Sequence, residues 1–378
     1  MPFEIIRNDI TKVKADAIVN TANPYPVPGA GVDSAIYSAA GWDLLLAERK
    51  KIGEMRPGEA MATPAFDLHS QFIIHTVGPA WEGGKNGEVE TVAECYRNSL
   101  TLAGELGAES IAFPLISAGT LGFPKHIALE TALSEINKYL MECDQDMTVY
   151  LVVYNKEAFE LSEKLVRDVK SYIEESEVKL REEQDHMYGM PLSRDLNAHR
   201  TMMNRPEKLS DDEELADGAL FDEEGMYESV KDSRPEILGD MSWGSEEEDL
   251  GGPLSEEESI DEIIKNRRET FQEHLFRLID RKDLDDVVVY KKANVDRKLF
   301  SKIKSNPEYT PSKKTAIAFA IALELNLDET MDLIGRAGYA LSKSSVSDLI
   351  IEYCIKHQIF DIYTVNCLLF DQGQATLS

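Results

Sequence analysis

Ala17-Ile18-Val19-Asn20-Thr21-Ala22-Asn23, running into Pro28-Gly29-Ala30-Gly31-Val32-Asp33, is one of two stretches that decide the reading of this chain; the other is Ile111-Ala112-Phe113-Pro114-Leu115-Ile116-Ser117-Ala118-Gly119-Thr120-Leu121-Gly122-Phe123-Pro124. Each is a short apolar run, then a glycine-rich loop, then a helical pattern. Loops of this kind aim backbone N–H groups at an anion, and the dipole of the following helix favours negative charge there. Two such loops facing each other suit the two phosphates of a diphosphate. The ligand class is therefore narrowed to a phosphorylated molecule before any single side chain is interpreted.

Outward from these loops, Phe3 to Arg7, Ala17 to Asn20, Phe72 to Val77, Ser110 to Pro114 and Met147 to Tyr154 read as buried strands. Val32 to Ala40, Glu88 to Leu106 and Lys125 to Met141 read as helices. Within the second of these, Val89, Val92, Ala93, Tyr96, Leu100 and Ala103 recur at helical spacing. Strands alternating with helices imply a layered α/β domain with a largely parallel sheet. Ligands of such sheets sit beyond the carboxyl ends of the strands, where both loops fall. A further helix is expected from Ala158 through Glu182.

The whole chain has 378 residues, which suggests two or three domains, and a formal net charge of −29. That charge argues against general affinity for nucleic acid or membranes. It is concentrated: Glu207 to Glu258 holds 20 acidic and 3 basic residues. Residues 181–260 therefore read as an acidic, disordered linker between a domain at 1–180 and a small all-α domain at 261–378. In that last part, helices are expected around Phe271 to Ile279, at Val287 to Ala293, Asp296 to Ser305, Lys313 to Leu325 (capped by Ser312), Asp328 to Arg336 and, closing the set, Val346 to His357. No apolar run approaches the roughly 20 residues that span a bilayer, so no membrane partner is expected. Cys95, Cys143, Cys354 and Cys367 form no CxxC pair, and no His, Cys and carboxylate cluster has metal-ligand spacing. The expectation is a cytoplasmic protein with reduced thiols, no metal and no cofactor. His75, within the strand pattern Phe72 to Val77, reads as a satisfied core histidine.

Five motifs in order carry a resemblance. They are Asp9-Ile10-Thr11, the Val19-to-Asn23 run, Gly31-to-Ile36, Ile73-to-Trp81 and Ile111-to-Pro124. Together they resemble a macrodomain, the ADP-ribose-binding fold, over roughly residues 1 to 175. The resemblance implies a three-layer α/β/α domain with a mixed sheet, and ADP-ribose or an ADP-ribosylated protein as partner. It implies that Asp9 accepts a hydrogen bond from the adenine amino group, with Ile10 beside it. Gly29, Ala30, Gly31 and Val32 would form the first phosphate loop, and Ser117, Ala118, Gly119, Thr120 and Leu121 the second. Tyr154 and Asn155 would lie at the adenine edge. Asn20 and Asn23 would flank the distal ribose, and Asp33 would be the acidic residue that hydrolytic members use beside it, making these three the candidate catalytic set.

The chemistry asked of Asp33 is direct. Removing ADP-ribose from an acidic side chain, or acetate from acetylated ADP-ribose, needs a placed water. A carboxylate that orients or deprotonates it contributes about 10²–10⁴ in rate. Asp33 also suits a plain helix cap, and Asn20 and Asn23 suit loop-bracing hydrogen bonds. Four positions depart from the hydrolase pattern: Pro28 and Ala30 interrupt a glycine run, Tyr37 stands in place of histidine, and Leu121 in place of an aromatic residue. These bear on rate more than on diphosphate binding. A non-catalytic sensor or adaptor is the competing reading.

The tail has its own signal. Lys291 to Lys314 holds eight basic and two acidic residues. Its helix order resembles a phage-repressor-type helix-turn-helix, with Arg297, Lys298, Lys302 and Lys304 on the would-be recognition helix. Such residues suit phosphate contacts, which position without specifying sequence. DNA, a protein partner, docking of the acidic linker, or an ordinary solvated face all remain compatible with them.

Overall fold

The computed structural model describes residues 3–143, 145–154, 161, 163–188 and 269–377. All of them fall within one compact unit. Its centre is a six-stranded mixed sheet in the order β1-β6-β5-β2-β4-β3, built from β1 (Phe3–Arg7), β2 (Ala17–Thr21), β3 (Ala60–Pro64), β4 (Phe72–Thr76), β5 (Ser110–Pro114) and β6 (Thr148–Val153). Strands β1, β6, β5, β2 and β4 run parallel, and β3 pairs antiparallel with β4.

The strands alternate faces, as period-2 geometry requires. Ala17, Val19, Ile111, Phe113, Leu151 and Val153 pack into one core with α3 (Glu88–Glu105) and α4 (Lys125–Glu142). Ile18, Ile73, Ala112 and Val152 pack into a second core with α1 (Val32–Ala40) and α2 (Trp42–Ile52). Both faces are thus covered by helices, which gives the three-layer α/β/α arrangement. Because β2 and β5 are neighbours, the loops that leave their carboxyl ends lie side by side.

Within the sheet and its helices, β3 and α2 went unread in the sequence. Strand β3 is Ala-Met-Ala-Thr-Pro, short, poor in β-branched residues and ended by proline. Helix α2 buries only Leu45 and Arg49, so its apolar stripe is too thin to register. The next helix, α5, runs Glu163–Tyr188. The expected start at Ala158 lies outside the described residues, and residues 181–188, expected as linker, belong to this helix instead. The rest of the expected linker also lies outside the described residues.

Among the described residues seven helices follow: α6 (Phe271–Arg281), α7 (Asp286–Lys292), α8 (Arg297–Ser305), α9 (Lys313–Ala322), α10 (Leu327–Arg336), α11 (Val346–Lys356) and α12 (Ile362–Asp371). Side-chain caps start each of them. Thr270 and Asn326 form full capping boxes, and Asp285, Asp296, Ser312, Ser345 and Asp361 accept from first-turn N–H groups. Helix α12 corrects the expectation that the helix ending near His357 is the last. Its nearly apolar run fits a strand as well as a helix by pattern alone.

This all-α part packs against the sheet and its helices. Asn294, in the α7–α8 turn, accepts from the Phe3 N–H (2.7 Å) and donates to the Phe3 carbonyl (2.8 Å). Lys291 donates to the carbonyls of Met141 and Cys143 at the end of α4. Phe3 meets Tyr363 edge to face, and Tyr172 of α5 meets Tyr353 of α11. Among the described residues no helix is long and apolar enough to cross a membrane.

Candidate active site

The two glycine-rich loops line one cavity of about 380 Å³ at the carboxyl end of the sheet, bounded on one side by Asn23, Gly29, Ala30, Gly31, Val32 and Asp33 and on the other by Ser117, Gly119, Thr120 and Leu121. Gly31 and Val32 also line an adjoining cavity of about 400 Å³, together with Asp9, Ile10 and Tyr154. Sharing Gly31 and Val32, the two cavities together make a cleft at the strand ends. Gly31 precedes α1 with φ +68°, a left-handed conformation that glycine adopts without strain. The first N–H groups of α1 have no partner within the helix, an arrangement suited to an anion.

The second loop is held from behind. Tyr96 accepts from the Ile116 N–H and donates to the Pro114 carbonyl. The Trp81 backbone N–H donates to the Leu121 carbonyl, and its ring packs edge to face on Phe123. Ser117 takes φ +61°, and its buried Oγ has no hydrogen-bond partner in the protein. A β-carbon on Gly78 would stand 2.1 Å from that Oγ, so only glycine fits beneath the loop. Gly78 lines the cavity, yet the sequence reading gave it no role.

Behind the first loop lies a buried polar chain. Asp33 on α1 is 2% exposed and lines the cavity. Its Oδ2 accepts from the Gly29 N–H, and its Oδ1 accepts from Asn20 Nδ2 at 2.6 Å. Asn20 sits on the same face of β2 as Ile18, opposite His75 in the β2–β4 register. Its amide also reaches His75 Nδ1 at 3.1 Å, and His75 Nε2 lies 3.0 Å from Thr63 Oγ1. Burial, then the charge of Arg49, pushes His75 down to about 3, so the ring is neutral. With Asn20 donating to Nδ1, the ring proton rests on Nε2 and goes to Thr63. Burial also raises the Asp33 carboxyl above the ordinary carboxylate value, while Asn20, the Gly29 N–H and Arg49 pull it back.

The predicted residues therefore separate by place. Asp9, Ile10, Asn23, Gly29, Ala30, Gly31, Val32, Asp33, Ser117, Gly119, Thr120, Leu121 and Tyr154 line the cleft. Ala118 does not line it. Asn20 is fully buried behind the wall, touching Asp33 rather than the cavity. Asn155 lies outside the described residues. Asp9 caps a 3₁₀ turn at Ile10–Lys12, with both Thr11 bonds going to Oδ1. Tyr154 is 74% exposed at the cleft edge. Tyr37 is buried on α1 against Trp42, away from the lining. Arg49, which the charged run Glu48-Arg49-Lys50-Lys51 disguises as surface, is buried and was missed.

On the tail, Arg297, Lys298, Lys302 and Lys304 are all exposed on α8. Lys304 is ion-paired with Asp286 and lies over the Phe276 ring, and Lys302 lies over Tyr309.

Paired glycine-rich loops at the carboxyl ends of parallel strands, with a buried carboxyl group on the wall of the cavity they line, define an α/β protein suited to hold a phosphorylated ligand. A family model, Macro domain, matches residues 19–132. An O-acetyl-ADP-ribose deacetylase of Cronobacter turicensis is 44% identical over 167 residues, covering 43% of this chain and 95% of that protein. A macro domain-containing protein of Methanosarcina mazei is 46% identical over 156 residues, covering 41% of this chain and 83% of that one. A solved Oceanobacillus iheyensis macrodomain with ADP is 40% identical, covering 41% of this chain and 85% of that one, with a TM-score of 0.40. The chain belongs to the macrodomain family.

Proposed function

We propose that the chain binds ADP-ribose along the cleft and hydrolyses ADP-ribose esters, O-acetyl-ADP-ribose foremost. The single observation that carries this reading is the buried Asp33 carboxylate on the wall of a cavity that both anion loops line. The diphosphate lies between Gly29–Val32 and Ser117–Leu121. Adenine lies over Ile10 toward Tyr154, its amino group donating to the Asp9 oxygen that Thr11 leaves unused. The distal ribose then falls beside Asn23 and Asp33.

In hydrolysis a water oxygen bonds to the acyl carbon and the ester C–O bond breaks. Asp33 takes the water proton and the departing ribose oxygen receives one, giving acetate and ADP-ribose. The loops supply positioning, and the carboxylate supplies the proton step. A mono-ADP-ribosylated carboxylate side chain presents the same ester chemistry. The four free cysteines support a reducing, cytoplasmic setting.

The non-catalytic sensor shares this ligand and differs only in turnover. A contact of the tail with nucleic acid, in the manner of a helix-turn-helix, draws support from the exposure of Arg297 and Lys298; the pairing of Lys304 with Asp286 weakens it. In this plan, residues 1–180 are the catalytic domain and 261–378 a helical one. The test is calorimetric titration of the full chain with ADP-ribose, AMP and ribose 5-phosphate, followed by incubation with O-acetyl-ADP-ribose. Tight binding of ADP-ribose alone, with acetate released, is expected. Binding without release selects the sensor, and equal affinity for AMP sinks the placement of the distal ribose.

A further inference from the structure

Arg49 is 1% exposed, and among the described residues no carboxylate stands in salt-bridge contact with it. Burying a guanidinium costs several kcal/mol unless its donors are met. Here the two terminal nitrogens meet carbonyls. One nitrogen, Nη1, donates to Gly53 at the end of α2, which is a local cap. The other, Nη2, donates to Asn23 (3.0 Å) and Pro24 (3.2 Å), residues 26 and 25 positions earlier in the chain.

A cap needs only the Gly53 contact, and Gly53 already donates its own N–H to the Arg49 carbonyl. The reach to Asn23 and Pro24 does something else. It pins the first two residues of the segment between Ala22 and Gly29 to α2, with help from the Met55 N–H on the Pro24 carbonyl. Asn23 is thereby fixed on the cavity wall near Asp33.

Arg49 also acts on Asp33 by charge. Around Asp33 stand Tyr37 on its own helix, the Gly29 N–H, Asn20 from β2, and His75 of β4 through Asn20. Tyr37 is pushed up to about 12 by burial and by Asp33, and His75 is held near 3, so both are neutral at physiological pH. Among these groups Arg49 is the cation.

We propose that Arg49 is a positioning residue for the ester-hydrolysing site: through the Asn23 and Pro24 carbonyls it fixes Asn23 on the cavity wall that Asp33 shares. This rests on the reading of Asp33 as the group that activates water.

The test uses the full chain with Arg49→Met and Arg49→Lys. Turnover of O-acetyl-ADP-ribose is followed from about pH 4.5 to about pH 8. Rates are expressed per ADP-ribose-binding molecule, counted by calorimetry. Arg49→Met is expected to lower kcat by about 10- to 100-fold, leaving KM within roughly threefold, because misplacement acts on the reacting geometry. Its acid limb moves to higher pH, since without the cation Asp33 takes a proton sooner. Arg49→Lys returns the acid limb toward wild type but not kcat, because an ammonium cannot span carbonyls that a planar fork reaches.

Wild-type kcat and acid limb in Arg49→Met overturn the proposal. Should that variant not fold, wild-type kcat in Arg49→Lys overturns the positioning role. If the wild-type chain releases no acetate, the hydrolase reading is what fails. Nitrogen-15 NMR of the Asn23 amide in the ADP-ribose complex then decides: a displaced signal in Arg49→Met supports the proposal, and an unchanged signal overturns it.

Discussion

Three groups draw the buried Asp33 carboxyl back from the rise that burial imposes on it. Asn20 gives it one hydrogen bond, the Gly29 N–H a second, and Arg49 a charge. Replacing Asn20 by alanine strips donors from both Asp33 and His75; a loss of about 1–3 kcal/mol in urea unfolding is expected, with a fall in turnover. A variant of wild-type stability and rate would contradict that role. His75 has a pH signature. Its value is 6.5 when unfolded and about 3 when folded, so above pH 6.5 it is neutral in both states. As pH falls below 6.5 only the unfolded chain takes the proton, and stability drops. The gap in unfolding free energy between wild type and His75→Gln should therefore shrink by about 2 kcal/mol from pH 7 to pH 5, and a constant gap would refute it. Asp33 was legible because it stands in a motif. The burial of Asn20 and Arg49 was not, since an asparagine ending an apolar strand and an arginine in a charged run look like ordinary edge and surface residues.

The cleft exists because β2 and β5 are adjacent in the sheet although β3, β4 and α3 intervene in sequence. The two loops were readable one by one, and so were the strands that end in them. Their adjacency was implied by the family resemblance and not by spacing. Gly78, after β4, shows what local reading could not reach: it lies under Ser117 of a loop far along the chain. Gly78→Ala overpacks that contact and should displace the second phosphate loop. The expected loss of ADP-ribose affinity is about 5- to 100-fold, from the roughly 1–3 kcal/mol that overpacking costs, with the unfolding midpoint less affected. Unchanged affinity by calorimetry would show that the loop yields without consequence.

The helical tail caps the molecule where the sheet is open. Strand β1 is an edge, and unpaired edges are liabilities for a folded chain. Asn294 closes part of it with two hydrogen bonds to Phe3, across 291 positions of sequence. No local pattern announces such a contact, which is why the tail read as a domain of its own. Asn294 has φ +54°, so glycine there removes the side chain without adding strain. Asn294→Gly should destabilise the chain by about 1–3 kcal/mol through the orphaned Phe3 groups, and ADP-ribose affinity should stay as it was. Unaltered urea unfolding would mean the docking contributes nothing to stability.

The most direct test of the account compares the full wild-type chain with Asp33→Ala in acetate release from O-acetyl-ADP-ribose, with ADP-ribose affinity measured alongside. The expected result is a rate lower by about 10²–10⁴ in the variant, with affinity within a few-fold of wild type. Equal release by the two proteins, or no release by the wild type while ADP-ribose binds, would contradict a hydrolase that works through Asp33.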